Sequence, residues 1–578
     1  MELLKSSTCQ IQINGVKHFL DPNKTYRTDQ FYTDYKHSEI ESDFSKINLT
    51  LHVKEVLTLN HVEIILDLSK EPLKSMLCNG FQTWTGSKYY SPDEEIPSLS
   101  KIARPFFKYY GDYYLNSPYI GKQYLHSWTY TRLQSNNSAQ EIFIGSNNDQ
   151  LAFTLFSYCK KTNKLVITKE LNNFKIKHSF SLFDLIIGVD SSNHNTSPWS
   201  SHNLYPPTRP KPQLDSAWTS WYKYQQDINA NILYRELDQI KEDERPDLFQ
   251  IDDGYQNYIG DWLDFKDDLK AELKNISAKI KEKNMAAGIW LAPFIVEPKS
   301  NLFKEHPDWI IKDSNGNPLK IGYNGVWKCW YYGLDIYKQD VQNYISKVFH
   351  VLRNDYGFNF FKVDFLFSAS IHPPEGTSKA QAMTFGMELL KRAAKGATLL
   401  SCGVPLAASF GIADLSRVGP DTHLKWDFKL LKRLNKRERP SNYLALHTII
   451  CRFTLRQFSA LDPDVYLLRS NNKKEGLFLS FDQKRTHLII ACLFGDVQFT
   501  SDTTALYTKE QRSVLNEAIA LKNRKVLRLN RLSNDCYRVH TEEAILFINL
   551  NDTSKKISFK GTLFTLEAYA TKIIYTDQ

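Results

Sequence analysis

The chain has 578 residues, too many for one ordinary domain and enough for two or three. Its 42% hydrophobic and 24% charged content fits a soluble globular protein with a sizeable core and argues against a disordered chain. No stretch nears the roughly 20 apolar residues that a bilayer crossing needs, so no membrane association is expected.

The net charge of +9 is spread along the chain, with no aromatic-basic stripe or known nucleic-acid module. The densest run, Lys425 to Arg439, carries six basic residues before Arg439 and reads as a solvated helix face. No nucleic acid is expected as a partner. The eight cysteines lie far apart without a CxxC pair, which argues against a disulfide framework or a structural zinc site and for reduced thiols. The segment Met1 to Ser7 has no apolar signal core, and a cytoplasmic location is the expectation.

Residues 1–205 read as β. Ile11 to Ile13, Lys46 to Val53 and His61 to Leu66 alternate or are β-branched, with Asn, Asp, Ser and Gly between them. A β-sandwich is predicted. Within it, Cys78-Asn79-Gly80-Phe81-Gln82-Thr83-Trp84-Thr85-Gly86 places a Trp among turn residues, either as a core plug or as a loop aromatic reaching a cleft. Pro206-Pro207-Thr208-Arg209-Pro210-Lys211-Pro212 is a stiff linker, because proline forbids helix and disfavours a central strand.

From 206 to 523 the pattern alternates strand and helix. The predicted strands are Ala217–Trp221, Leu248–Asp252, Met285–Leu291, Gly357–Phe365, Thr398–Cys402, Asp414–Val418, Val465–Leu468 and Val497–Thr500. Helices follow near 229–241, 269–283, 339–354, 380–395 and 509–521. Eight such units predict an α/β fold, a (β/α)8 TIM barrel; a doubly wound open sheet is the alternative, without a Gly-rich nucleotide motif to support it. Residues 524–578 return to β, a small C-terminal antiparallel domain.

In such barrels the active site lies at the carboxyl ends of the strands. Strand two ends in Asp252-Asp253-Gly254, strand four in Lys362-Val363-Asp364, strand five in Cys402-Gly403, and Arg417 precedes Gly419-Pro420-Asp421 after strand six. Each has an ordinary account as a turn, a cap or a surface charge. Together they crowd one rim with carboxylates whose mutual repulsion raises pKa values. Two carboxylates from different strands are what glycoside hydrolysis uses, one as nucleophile and one as acid and base. A metal site is the competing use of the acids, opposed by Lys362 and Arg417.

The ordered set Trp218-Thr219-Ser220-Trp221-Tyr222, Phe249-Gln250-Ile251-Asp252-Asp253-Gly254-Tyr255, Gly260-Asp261-Trp262, His306-Pro307-Asp308-Trp309, Leu334-Asp335, Lys362-Val363-Asp364 and Asp462-Pro463-Asp464 resembles the α-galactosidases of glycoside hydrolase family 36. The resemblance covers roughly the barrel. It implies Asp364 as nucleophile and Asp421 as acid/base, with Asp252, Asp253 and Lys362 on sugar hydroxyls. It also implies Trp221 and Trp290 as aromatic neighbours of the sugar and Cys402 in the pocket lining. Arg417 is then placed to bind a hydroxyl or steady Asp421, and Lys362 to keep Asp364 ionised.

The implied partner is an α-galactoside oligosaccharide, cleaved with retention and without metal or cofactor, in a chain that can form a homo-oligomer. Alternatives on the same site are a galactosyl transglycosylase, an α-N-acetylgalactosaminidase and a non-catalytic sugar-binding protein. The chain departs from the family in Ser401-Cys402-Gly403-Val404-Pro405, in Gly419-Pro420-Asp421-Thr422 and in Trp327-Lys328-Cys329-Trp330, where an Arg is expected.

Overall fold

The computed structural model describes residues 7–21, 24–41, 43–138, 140–171, 173–190, 212–522 and 524–576. The proline-rich linker lies outside these residues except for Pro212.

The amino-terminal part forms two seven-stranded antiparallel sheets. One runs Val16–Leu20, Thr8–Ile13, Leu57–Asp67, Lys164–Lys169, Thr154–Cys159 and Tyr124–Trp128, with Phe174–Ile176 beside Leu57–Asp67. The other runs Phe31–Glu41, Phe44–Val53, Ser179–Asp190, Glu141–Ser146, Tyr130–Ser135, Leu73–Cys78 and Lys88–Tyr90. Phe44–Val53 shows why: Ile47, Leu49 and Leu51 point inward at period two and join Ile11, Ile64 and Phe183 in one apolar core.

The central part is a parallel barrel. Its strands are Ser216–Thr219 (strand 1), Leu248–Ile251 (strand 2), Ala286–Leu291 (strand 3), Phe360–Val363 (strand 4), Thr398–Ser401 (strand 5), Leu415–Arg417 (strand 6), Ala460–Asp462 (strand 7) and Gln498–Thr500 (strand 8). Strands 2, 4 and 6 are buried along their whole length, as expected where helices cover a parallel sheet.

Strand 7 differs from its expected position, Val465–Leu468. It begins earlier and is broken: Ala460–Asp462 pairs with strand 6, and Val465–Tyr466 then pairs with strand 8. Pro463 has no N–H to give a ladder, and Asp464 adopts φ +73°, so the chain steps sideways between its two neighbours and closes the barrel there.

Helices Ala230–Gln239, Asp267–Glu282, Gln339–Asn354, Lys379–Ala394 and Lys509–Ile519 fall where periodicity places them. Phe481–Phe494, between strands 7 and 8, does not show in the pattern, because Gln483, Lys484 and every residue from Thr486 to Phe494 are buried and no polar stripe survives.

The Lys425–Arg439 run is not a solvated helix face. Only Lys429–Arg433 is helical, and Lys436, Arg437 and Arg439 are buried against the sandwich, Arg437 on Asp112 and Arg439 on Asp427 at 2.8 Å. Carboxylate partners accompany the burial of Arg437 and Arg439, and the rings of Phe107 and Tyr110 accompany that of Lys436.

After the barrel, Val526–Ser533, Cys536–Thr541, Ala544–Asn549 and Thr571–Tyr575 form an antiparallel sheet, and Lys555–Phe559 pairs with Thr562–Leu566. Among the described residues no helix is long and apolar enough to cross a membrane.

Candidate active site

Strand 4 carries Lys362 and delivers Asp364 just past its end. The pleat stops at Val363, and Phe365 adopts φ +55°, a left-handed conformation that strains a bulky side chain. Asp364 therefore leaves the strand's alternation. Its Oδ1 accepts from the backbone N–H of Phe365 at 2.9 Å and its Oδ2 from the indole of Trp290 on strand 3 at 3.1 Å.

Lys362 makes its ion pair with Asp252, not with Asp364. Its ammonium donates to Asp252 Oδ2 at 2.9 Å, across from strand 4 to the end of strand 2. Burial opposes the charge on Lys362, and the carboxylates of Asp252 and Asp364 outweigh that and raise its pKa. Asp252 also accepts from Gln250 at 2.6 Å and Thr219 at 3.3 Å.

Asp253 turns the other way. It accepts from the Trp327 indole at 2.7 Å, from Gln256 at 2.7 Å and from Gln226 at 3.2 Å. Burial pushes its carboxyl up to about 6, against the pull of the Trp327 and Gln256 donors. Trp327 lies in the irregular insertion and gives this carboxylate a neutral donor.

Beyond strand 6, Arg417 gathers three carboxylates. It donates to Asp421 Oδ1 at 3.0 Å and to Asp462 Oδ2 at 3.1 Å, and lies 2.9 Å from Asp464 Oδ1. It is buried, not a surface charge. The break in strand 7 is what brings Asp462 and Asp464 to the same guanidinium.

The Asp421 side chain is 42% exposed. Burial pushes its carboxyl up to about 6; Arg417 pulls it down, and Asp464 and Asp364 push it up. Tyr222 donates to Asp464, and the backbone N–H of Thr422 does so at 2.8 Å.

The last wall comes from the sandwich. Trp84 is buried, and its indole donates to Cys402 Sγ at 3.0 Å; its ring meets Phe365 edge-on at 5.1 Å. It is a loop aromatic that reaches the barrel of its own chain. A side chain on Gly403, at φ +62°, would meet the Trp84 ring at 3.0 Å, so this close approach requires glycine.

The loop bearing Trp84 is buried from Asn79 to Thr85 without regular structure, and its carbonyls need donors. Arg452, at the end of helix Asn442–Arg452 and 0% exposed, supplies them. It donates to Asn79 Oδ1 at 2.8 Å and to the carbonyls of Thr83 at 2.8 Å and of Gly80, Gln82 and Thr85 at 3.2 Å each. A further bond reaches the carbonyl of Val418, beside Arg417, at 3.0 Å.

Asp252, Asp253, Lys362, Asp364, Arg417, Asp421, Trp290 and Cys402 thus line one face of the barrel. Trp221 is half-buried at the first turn after strand 1, and among the described residues no hydrogen bond ties its side chain to the cluster. Asp462, Asp464, Trp327, Trp84 and Arg452 join the site without having been singled out as binding residues; the Asp462-Pro463-Asp464 motif, the Trp84 stretch and the Trp327 departure carried a sequence signal, and Arg452 carried none. Among the described residues no group of three or more His, Cys, Asp or Glu could hold a metal ion.

Solved α-galactosidases share this fold. TtGalA, an α-galactosidase from Thermus thermophilus in complex with p-nitrophenyl α-D-galactopyranoside, superposes with TM-score 0.70 at 23% identity, over 92% of this chain and 97% of that one. The α-galactosidase from Lactobacillus brevis superposes with TM-score 0.61 at 13% identity, over 98% and 88%. Residues 207–383 match the model of the melibiase family. By sequence, α-galactosidase AgaA of Geobacillus stearothermophilus is 29% identical over 106 residues, a stretch spanning 17% of this chain and 14% of that relative.

Proposed function

We propose that the protein is a retaining α-galactosidase that removes terminal α-linked galactose from oligosaccharides by double displacement. Asp364 attacks the anomeric carbon, and Asp421 gives its proton to the departing glycosidic oxygen. Water then attacks the galactosyl-Asp364 ester while Asp421 takes the proton back.

The observation that carries the reading is the contrast between these two carboxyls. Among the described residues Asp364 accepts hydrogen bonds from a backbone N–H and an indole, in position to attack. Asp421, raised to about 6, holds a proton to higher pH than an ordinary carboxyl. Asp252, its charge matched by Lys362, and Asp253, met by neutral donors, are acceptors suited to the galactose hydroxyls; a sugar lacking the right hydroxyl would leave them unpaired. Related proteins have been solved with stachyose and with raffinose, which supports an oligosaccharide substrate.

The test is nitrophenol release from the aryl α-galactoside by the wild type and by Asp364→Ala, with and without azide. Turnover by the wild type, loss in the variant and partial rescue by azide, giving the β-azide product, support the assignment. Turnover by Asp364→Ala at the wild-type rate would reject it.

A further inference from the structure

Buried cations in this protein are matched. Among the described residues, Lys169 reaches Asp149, Lys362 reaches Asp252, Arg417 reaches three carboxylates, Arg437 reaches Asp112, Arg439 reaches Asp427 and Arg452 reaches five carbonyls. Arg132 lies 3.8 Å from Glu141, and Lys484 donates to the Arg469 carbonyl at 2.5 Å.

Lys436 is the exception. It is 5% exposed, and its ammonium has no oxygen acceptor among the described residues. It lies instead 4.1 Å from the ring centroids of both Phe107 and Tyr110. Glu438, the nearest acid in sequence, turns away to accept from Thr85 at 2.8 Å. Burial pulls the Lys436 ammonium down to about 8, with Glu438 and Asp421 pushing back.

Two aromatic faces offset only part of the cost of dehydrating an ammonium. A Met would fill the same space without that cost, so packing does not explain a lysine here.

Position gives the reason. Lys436 lies in the segment between strand 6 and helix Asn442–Arg452 that also carries Asp421. Tyr110 beneath it packs on Trp84 at 5.9 Å and on Phe365, the residue after Asp364, at 6.3 Å. The groups suited to galactose, Asp252, Asp253 and Lys362, come from strands 2 and 4. The charge of Asp421 acts on the Lys436 ammonium, which puts Lys436 on the Asp421 side of the site.

We propose that Lys436 determines specificity for the leaving group, donating hydrogen bonds to the hydroxyls of the sugar joined to galactose. The assignment rests on the α-galactosidase reading above. The ammonium has three donors and no protein acceptor, and a hydroxylated ring supplies the oxygens that the protein withholds. The faces of Phe107 and Tyr110 hold it in place in the meantime.

The test compares raffinose with p-nitrophenyl α-galactoside, whose aryl leaving group has no hydroxyl to accept from Lys436. In Lys436→Met the ratio of kcat/KM for raffinose to that for the aryl galactoside falls at least tenfold, mainly through KM, and Lys436→Arg recovers part of it. The melting temperature of Lys436→Met does not fall, because a dehydrated charge has been removed.

A second measurement is calorimetric binding in the Asp364→Asn background. There Lys436→Met weakens raffinose at least fivefold relative to free galactose. An unchanged ratio in both assays, or equal losses on both ligands with a lowered melting temperature, overturns the proposal. Absence of wild-type turnover would reject the hydrolase reading alone, since the binding ratio still reports on Lys436.

Discussion

Arg452→Met probes whether the sandwich holds part of the active site in place. The substitution removes donors from the side-chain oxygen of Asn79 and from the carbonyls of Gly80, Gln82, Thr83, Thr85 and Val418. A buried acceptor left without a donor costs about 1–3 kcal/mol, and six left dry would exceed the ordinary stability of a domain. Water entering the loop relieves most of that, and the lost cation was itself dehydrated, as its lowered pKa of about 10 reflects. The net cost is then that of breaking a buried charged network, about 3–5 kcal/mol.

The loop, not the barrel, takes up this cost: Asn79 to Thr85 loosens and Trp84 leaves Cys402. A displacement near 1 Å at a pocket wall costs about 100-fold in rate, so kcat/KM for the aryl galactoside is expected to fall about 10- to 100-fold. Circular dichroism stays that of the wild type. Peptide mapping after maleimide labelling shows Cys402 modified faster, because its thiol is otherwise buried beneath the Trp84 indole. Wild-type kcat/KM with Cys402 still protected would refute the idea that Arg452 secures this loop.

Asp421, raised to about 6, must be protonated to act as acid, so kcat/KM for oligosaccharides is expected to decline above about pH 6, whereas a leaving group needing no proton shows a weaker decline. Trp327→Phe removes the indole from Asp253, raises that carboxyl further above about 6 and weakens galactose about 10-fold, readable as a KM increase at pH 7 that shrinks at higher pH. Asp112 is buried, and despite the upward push of burial, Arg437 and His126 hold its carboxyl well below the usual range. A depressed folded-state value stabilises above the unfolded value of about 4 and is lost below it. Asp112→Asn therefore lowers the melting temperature at pH 7, and the gap to the wild type narrows in chemical unfolding at pH 3.

Much of the barrel was legible because strand-helix alternation survives in composition: Leu248 to Ile251 and Phe360 to Val363 are mostly apolar, and each is followed by an acid. The rim acids Asp252, Asp253, Asp364 and Asp421 were legible for the same reason. Other parts were not. Strand 7 is three residues long before its break, too short for a period to register, and Asp462 and Asp464 acquire their place only through that break. Trp327 lies in an irregular insertion, and its partner Asp253 is 74 residues away. Arg452 and Lys436 resemble surface charges in a linear reading. Their burial depends on carbonyls and rings from the sandwich, which no local pattern announces. The pairing of Lys362 with Asp252 was not legible, because the two are 110 residues apart.

The wall that Trp84 lends to the barrel bears on how the protein comes to be active. Trp84 and Cys402 are 318 residues apart in the chain, and Arg452 meets the same loop across 367 to 373 residues. Contacts of such separation form late, after each layer has gained its own secondary structure. A refolding chain will regain its circular dichroism before its turnover. During synthesis the Trp84 loop waits until helix Asn442–Arg452 has emerged. A barrel begun at Pro212 would carry every carboxylate of the rim and still lack one side of its pocket.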